Sequence, residues 1–97
     1  MAIDFYDLFD GNRKKILFEI GQNDFDEIEF AFSHLRKKTG VYIDAYGKSK
    51  IYRNHVELLV SFMAESMKEA TSDKRKILSE TIAKFKIVDK GFLTEGD

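Results

Sequence analysis

The stretch His55 to Ala70, HVELLVSFMAESMKEA, does most to limit what this chain can become. At 100° per residue, Val56, Leu59, Val60, Met63, Met67 and Ala70 fall on one stripe, the spacing of an amphipathic helix. Leu58 and Phe62 widen that stripe to more than half the circumference. A helix with so broad an apolar face needs neighbours on at least two sides, so it is expected at the centre of the domain. Asn54 stands just before it as the expected N-cap, its side-chain oxygen accepting an orphan backbone N–H.

Other elements are then expected around that helix. Within residues 3–10, Asp4 is placed to cap a short helix carrying Phe5, Leu8 and Phe9, closed by Gly11. Ile16 to Ile20 alternates apolar and polar residues, a strand signal ended by Gly21. Asn23 or Asp24 caps a helix running to about Lys38, with Phe25, Ile28, Phe32 and Leu35 as its seam. Its first turn is acidic and its last turn, Arg36 to Lys38, is basic, both in the sense the helix dipole favours, and Gly40 ends it. Phe30 lies opposite much of the seam, so it either meets a second layer of the core or serves as an exposed aromatic for a partner.

Val41 to Gly47 alternates again and is expected to pair with the strand at 16–20. Thr71 to Asp73 offers a cap for a last helix from Lys74 to about Lys90, with Ile77, Leu78, Ile82, Phe85 and Val88 as its stripe. Ile87 sits off that stripe, which leaves a terminal strand at Lys84 to Asp89 as the alternative. Gly91 marks a stop, and Thr94 to Asp97 are expected to fray. The expected architecture is α+β and predominantly helical. It is a compact single domain over residues 1–97, with three main helices, a short N-terminal element and at most a small two-stranded sheet from residues 14–20 and 41–46.

Cysteine is absent, which excludes disulfides, thiolate metal sites and a cysteine nucleophile. No apolar run approaches the ~18 residues of a membrane span. The opening MAIDFYDLFD is acidic and lacks the basic region of a signal peptide, so the cytoplasm is the expected location. His34 and His55 stand in no ligand spacing, no serine occupies a GxSxG elbow, and no glycine-rich phosphate loop occurs. The acids Asp24, Asp26, Glu27 and Glu29 open a helix, where the dipole alone accounts for them. No catalytic residue, metal or cofactor is therefore expected. Basic residues cluster as short triplets, Arg36–Lys38 and Lys74–Lys76 among them, a weak footprint for phosphate binding, so nucleic acid is not the expected partner.

Protein binding remains. Three of the four tyrosines fall within Tyr42 to Tyr52, and tyrosine supplies contact area with a polar tip at small entropic cost. Charge is uneven as well: residues 1–29 hold eight acids against three bases, and the rest hold nine against thirteen. An acidic face would steer a basic partner. The candidate partner-binding residues are Asp24, Asp26, Glu27 and Glu29 with Tyr42, Asp44 and Tyr46. The competing reading of the tyrosines is an edge strand whose rings cover a neighbouring helix.

The segment Leu35 to Leu59 contains Leu35-Arg36 followed by Thr39-Gly40, then Tyr42-Ile43-Asp44, Tyr46-Gly47 and a polar turn before an apolar helix. It resembles small bacterial immunity proteins of contact-dependent growth inhibition and related polymorphic toxin systems. The resemblance implies a stoichiometric inhibitor in the cytoplasm of the toxin-producing cell, binding the C-terminal domain of a cognate toxin. Many such toxins are nucleases with basic clefts, which would suit an acidic face. The alternative is a small regulator acting on nucleic acid or a transcription complex through the basic triplets.

Overall fold

Four phenylalanines from distant parts of the chain meet at one point in the computed structural model, which describes residues 2–88 and 90–96. Phe5, Phe18 and Phe92 come from three strands, and Phe85 from the last helix, with ring centroids 4.6 to 5.8 Å apart. The elements run β1 (Ala2–Asp7), β2 (Phe18–Gly21), α1 (Gln22–Thr39), β3 (Lys48–Tyr52), α2 (Arg53–Ser66), α3 (Ser72–Lys86) and β4 (Gly91–Gly96). A single 3-10 turn, Met67–Glu69, extends α2. The strands form one antiparallel sheet in the order β2-β1-β4-β3. Alternate strand residues Ile3, Phe5, Phe18, Ile20, Ile51 and Phe92 face the helices and share one core with them.

The helices follow the expected spacing. Phe25, Ile28, Phe32 and Leu35 are buried on α1, and Ala31 joins them. Gly40 ends α1 in the left-handed conformation at φ 80°, its N–H donating to the Arg36 carbonyl at 2.8 Å. On α2, Val56, Leu59 and Met63 are buried, and the helix packs against α1, α3, β3 and β4. Thr71 caps α3, its hydroxyl accepting from the Lys74 N–H at 3.3 Å. The other caps differ from expectation. Asn54 lies inside the first turn of α2, whose N-cap is Tyr52, and Gly21 rather than Asn23 or Asp24 precedes α1. Phe30 is half-buried at the margin of the core.

The two-stranded sheet is the main correction. Residues 3–7 are strand, not a capped helix, and the strand expected at 41–46 is irregular chain leading into β3. β2 pairs with β1, not with residues 41–46. The tail expected to stop at Gly91 and fray becomes β4, an inner strand flanked by β1 and β3. Asp89 and Asp97, which end the stretches 84–89 and 94–97, lie outside the described residues; Lys84 to Lys86 are helical.

The physical reason is that β1 and β4 draw their stability from non-local pairing. An inner strand is covered by neighbours on both edges, so even GFLTEG, with two glycines, is held. Gly91 has φ +135°, and a Cβ there would stand 2.2 Å from the Ile51 carbonyl oxygen. The residue that reads as a stop is thus a place where two backbones leave no room for a side chain.

Phe85→Ala should cost roughly 3–5 kcal/mol, because it empties the meeting point of five rings. Ile87→Ala, two residues on and 64% exposed, should stay within about 0.5 kcal/mol of the parent. Urea unfolding of the two variants checks the contrast; equal costs would place Phe85 outside the core.

Candidate functional site

Beyond Gly40 the chain lies along one flank of α1 without regular structure until β3 begins. Ile43 is buried and pins the middle of this segment. Asp44 shapes the turn into β3. Its Oδ1 accepts from the Tyr46 N–H at 2.9 Å, and its own N–H donates to Ser49 Oγ at 2.7 Å. Between this segment and α1 lies a cleft of about 280 Å³. Glu29, Ser33 and Arg36 form its helix wall, Tyr42 and Tyr46 its opposite wall, and the buried Phe25, Phe32 and Ile43 also line it.

Both tyrosines are open to solvent, Tyr42 at 57% and Tyr46 at 76% exposed. The Arg36 guanidinium sits 4.7 Å from the Tyr42 ring centroid, which favours one position of that ring by about 0.5–1 kcal/mol at an exposed site. Tyr46 carries no such restraint among the described contacts. The arrangement suits an apolar or aromatic insertion between the rings, with Glu29 offering a carboxylate to a cationic group.

Among the candidates from the sequence, Glu29, Tyr42 and Tyr46 meet at this cleft. Asp26 is exposed and precedes Glu29 by one helical turn, on the same flank of α1. Glu27 falls on the other flank, with Phe30 and His34, and Asp24 is half-buried beside the seam. Asp44 is occupied by the turn it builds. The alternation Tyr42, Asp44, Tyr46 therefore does not mark one side of a strand, although both rings still reach the same cleft.

Sequence reasoning missed a second cleft, about 350 Å³, on the other flank of α1. Phe30, His34 and Phe62 line it with Glu65 and Glu69, and the Lys74 ammonium stands 5.2 Å from the Phe30 ring centroid. Its signal in the sequence was Phe30, the aromatic off the seam. The second basic triplet is partly engaged in holding helices together. Arg75 donates to the carbonyls of Met67 and Ala70 at 3.1 and 3.3 Å, tying the start of α3 to the end of the preceding turn. Among the described residues no group of three His, Asp or Glu side chains is arranged to hold a metal ion.

The face of the sheet away from the helices carries a charged row beside the buried Tyr6 and Leu93. Glu19, Asp4 and Glu95 stand side by side on β2, β1 and β4, and Lys48 on β3 continues the row. Tyr6 is buried nearby, and burial first, then the Asp4 and Glu95 charges, push its phenol pKa up. Within the β1–β2 connection, the Asp10 carboxylate accepts from the backbone N–H groups of Lys15 and Lys14, which lower its pKa.

Among known proteins the chain matches no family model, no curated protein and no solved structure. No helix among the described residues is long and apolar enough to cross a membrane.

Asp44→Ala should destabilise the fold by about 1 kcal/mol, the usual worth of a hydrogen bond, and should release the Tyr46 amide to faster hydrogen exchange. Unchanged exchange at Tyr46 would show that the turn does not depend on this carboxylate.

Proposed function

We propose that this chain is an immunity protein: a stoichiometric inhibitor that binds a cognate toxin domain, probing a basic surface with the cleft between α1 and residues 41–46. The observation that carries this reading is the pair of exposed tyrosines facing Glu29 across that cleft. Exposed aromatic rings at a concave site are the usual anchors of protein interfaces, and a carboxylate on the facing wall favours a cationic side chain. The resemblance over Leu35 to Leu59 supports the same reading, since that segment contains the whole of the tyrosine wall. The proposed location is the cytoplasm of the toxin-producing cell, and the proposed toxin is a nuclease with a basic cleft.

Affinity in such an interface concentrates in buried anchors, whereas rim charges act on the encounter. Asp26 and Glu29 belong to the second class and Tyr42 and Tyr46 to the first.

Tyr46→Ala should mainly speed dissociation from the cognate toxin domain, at a cost of about 2 kcal/mol. Reversing Asp26 and Glu29 to lysine should slow association, and added salt should slow the parent in the same way. Stopped-flow or surface-based kinetics at two salt concentrations measures both effects. Wild-type kinetics in every variant would move the interface to another face. Binding of duplex DNA through Lys74 to Lys76, with no toxin partner, would instead favour the regulator.

A further inference from the structure

The hydrogen-bond ladder of β3 leaves one side of that strand unpaired. Gly96 donates its N–H to the Gly47 carbonyl at 2.8 Å, and Arg53 donates to the Lys90 carbonyl at 3.0 Å. The register runs without interruption between those two bonds, from Lys48 opposite Glu95 to Tyr52 opposite Gly91. In an antiparallel ladder, alternate residues turn their N–H and C=O groups to the same neighbour. Ser49 and Ile51 therefore turn both groups to β4, flanked by the Gly47 carbonyl and the Arg53 N–H, and Lys48, Lys50 and Tyr52 turn theirs away from it. β3 ends the sheet, so those groups meet no strand. The Tyr52 carbonyl opens α2. What remains is three outward N–H groups and the carbonyls of Lys48 and Lys50.

The side chains on this edge are equally consistent. Lys48, Lys50 and Tyr52 are all exposed, and their shared parity puts them on the sheet face away from the helices. The Lys50 ammonium stands 5.3 Å from the Tyr52 ring centroid, while Lys48 and Lys50 form no ion pair within 4 Å among the described residues. Lysines on an open edge repel a second copy of the same edge. They do not repel an acidic strand.

We infer that β3 is a docking edge for an extended acidic segment of another protein, added antiparallel as a fifth strand, with carboxylates opposite Lys48 and Lys50 and an apolar residue opposite Tyr52. Main-chain bonds supply the attachment, and alternate side chains supply the selection. The other edge of the sheet offers no equivalent: β2 has four residues and carries Glu19 where β3 carries lysines. Pairing of β3 with β3 would set lysines against lysines, which is unfavourable for directly opposed strand residues. This inference does not depend on the tyrosine cleft, which lies on α1 and the 41–46 segment.

The test uses the isotope-labelled full chain and a capped peptide Val-Val-Glu-Val-Glu-Val, whose first valine falls opposite Tyr52 and whose glutamates fall opposite Lys50 and Lys48, with the same peptide carrying lysine for glutamate as control. Residues opposite Lys48 and Lys50 exchange both of their main-chain bonds with them, so the glutamate nitrogens are the ones engaged. The expected result is amide shift changes over residues 48–52. Hydrogen exchange should slow at Lys48, Lys50 and Tyr52, with little change at Ser49 and Ile51, which are already paired. N-methylation of the glutamate nitrogens should abolish binding, and N-methylation of the valine nitrogens should not. Lys50→Pro, which removes an outward N–H and no bond to β4, should bind several-fold to about tenfold more weakly than Lys50→Gln. The double change Lys48→Glu with Lys50→Glu should reverse the preference in favour of the lysine peptide.

Equal response to both peptides, or none at millimolar concentration, would overturn the inference. So would insensitivity to N-methylation, shifts confined to Tyr42 and Tyr46, or peptide-free protection of Lys48 and Lys50 that rises with protein concentration. The peptide measurements use the unaltered chain, so they decide the question even where a variant fails to fold.

Discussion

The Phe85 ring holds the two layers of this fold together. It reaches Phe5, Phe18 and Phe92 on three strands and Phe32 on α1, at centroid distances of 5.4 to 6.4 Å. Each aromatic pair adds about 0.5–1.5 kcal/mol beyond the area it buries. The larger consequence is positional. Phe92 and Phe85 are close in sequence, and Phe5 and Phe18 are far from both, so the cluster closes the chain from end to end. β4, paired on both edges between β1 and β3, also joins this cluster through its first inward side chain, Phe92. Once β4 is seated, β3 has a partner and the segment before it has a fixed end.

The sequence announced the helices because their information is local. The seam of α1, the broad face of α2 and the Thr71 cap can each be read within a single window of residues. It did not announce β1 and β4, and the reason is physical. AIDFYD has a period that fits a short helix as well as a strand, since Tyr6 is buried next to Phe5. GFLTEG carries glycines that argue against any element by propensity. An inner strand is stabilised by neighbours that a local window does not contain, and Gly91 shows how far that goes. A glycine that looks like punctuation is there because the Ile51 carbonyl leaves no room for a Cβ.

The candidate site was legible in part for the same reason. Residue type and rough neighbourhood picked out Tyr42, Tyr46 and Glu29, and the fold brings those three to one cleft. The four acids of α1 do not share one face, because the helical turn sends Glu27 away from Glu29. Asp44 has charge and a place between the tyrosines, but a short acid three residues before a glycine is also the residue that builds a turn, and it accepts the Tyr46 N–H. Phe30 lay between the two readings offered for it: half-buried against the core, with Lys74 over its ring.

A site built on irregular chain ordinarily loses affinity to the entropy of ordering it, and the clamps on residues 41–47 reduce that loss. At one end Gly40 holds the turn off α1 through its bond to the Arg36 carbonyl, and Thr39 Oγ1 accepts from the Val41 N–H at 3.1 Å. In the middle the Ile43 side chain is buried. At the other end the Gly47 carbonyl accepts from Gly96, and the Gly96 Cα lies so close to the Ala45 carbonyl that a Cβ would stand 1.9 Å from its oxygen. The last residues of β4 thus grip the wall that carries Tyr46, while the first residues of β4 anchor the aromatic cluster. One strand couples the stability of the core to the shape of the cleft, so substitutions that loosen β4 act on both.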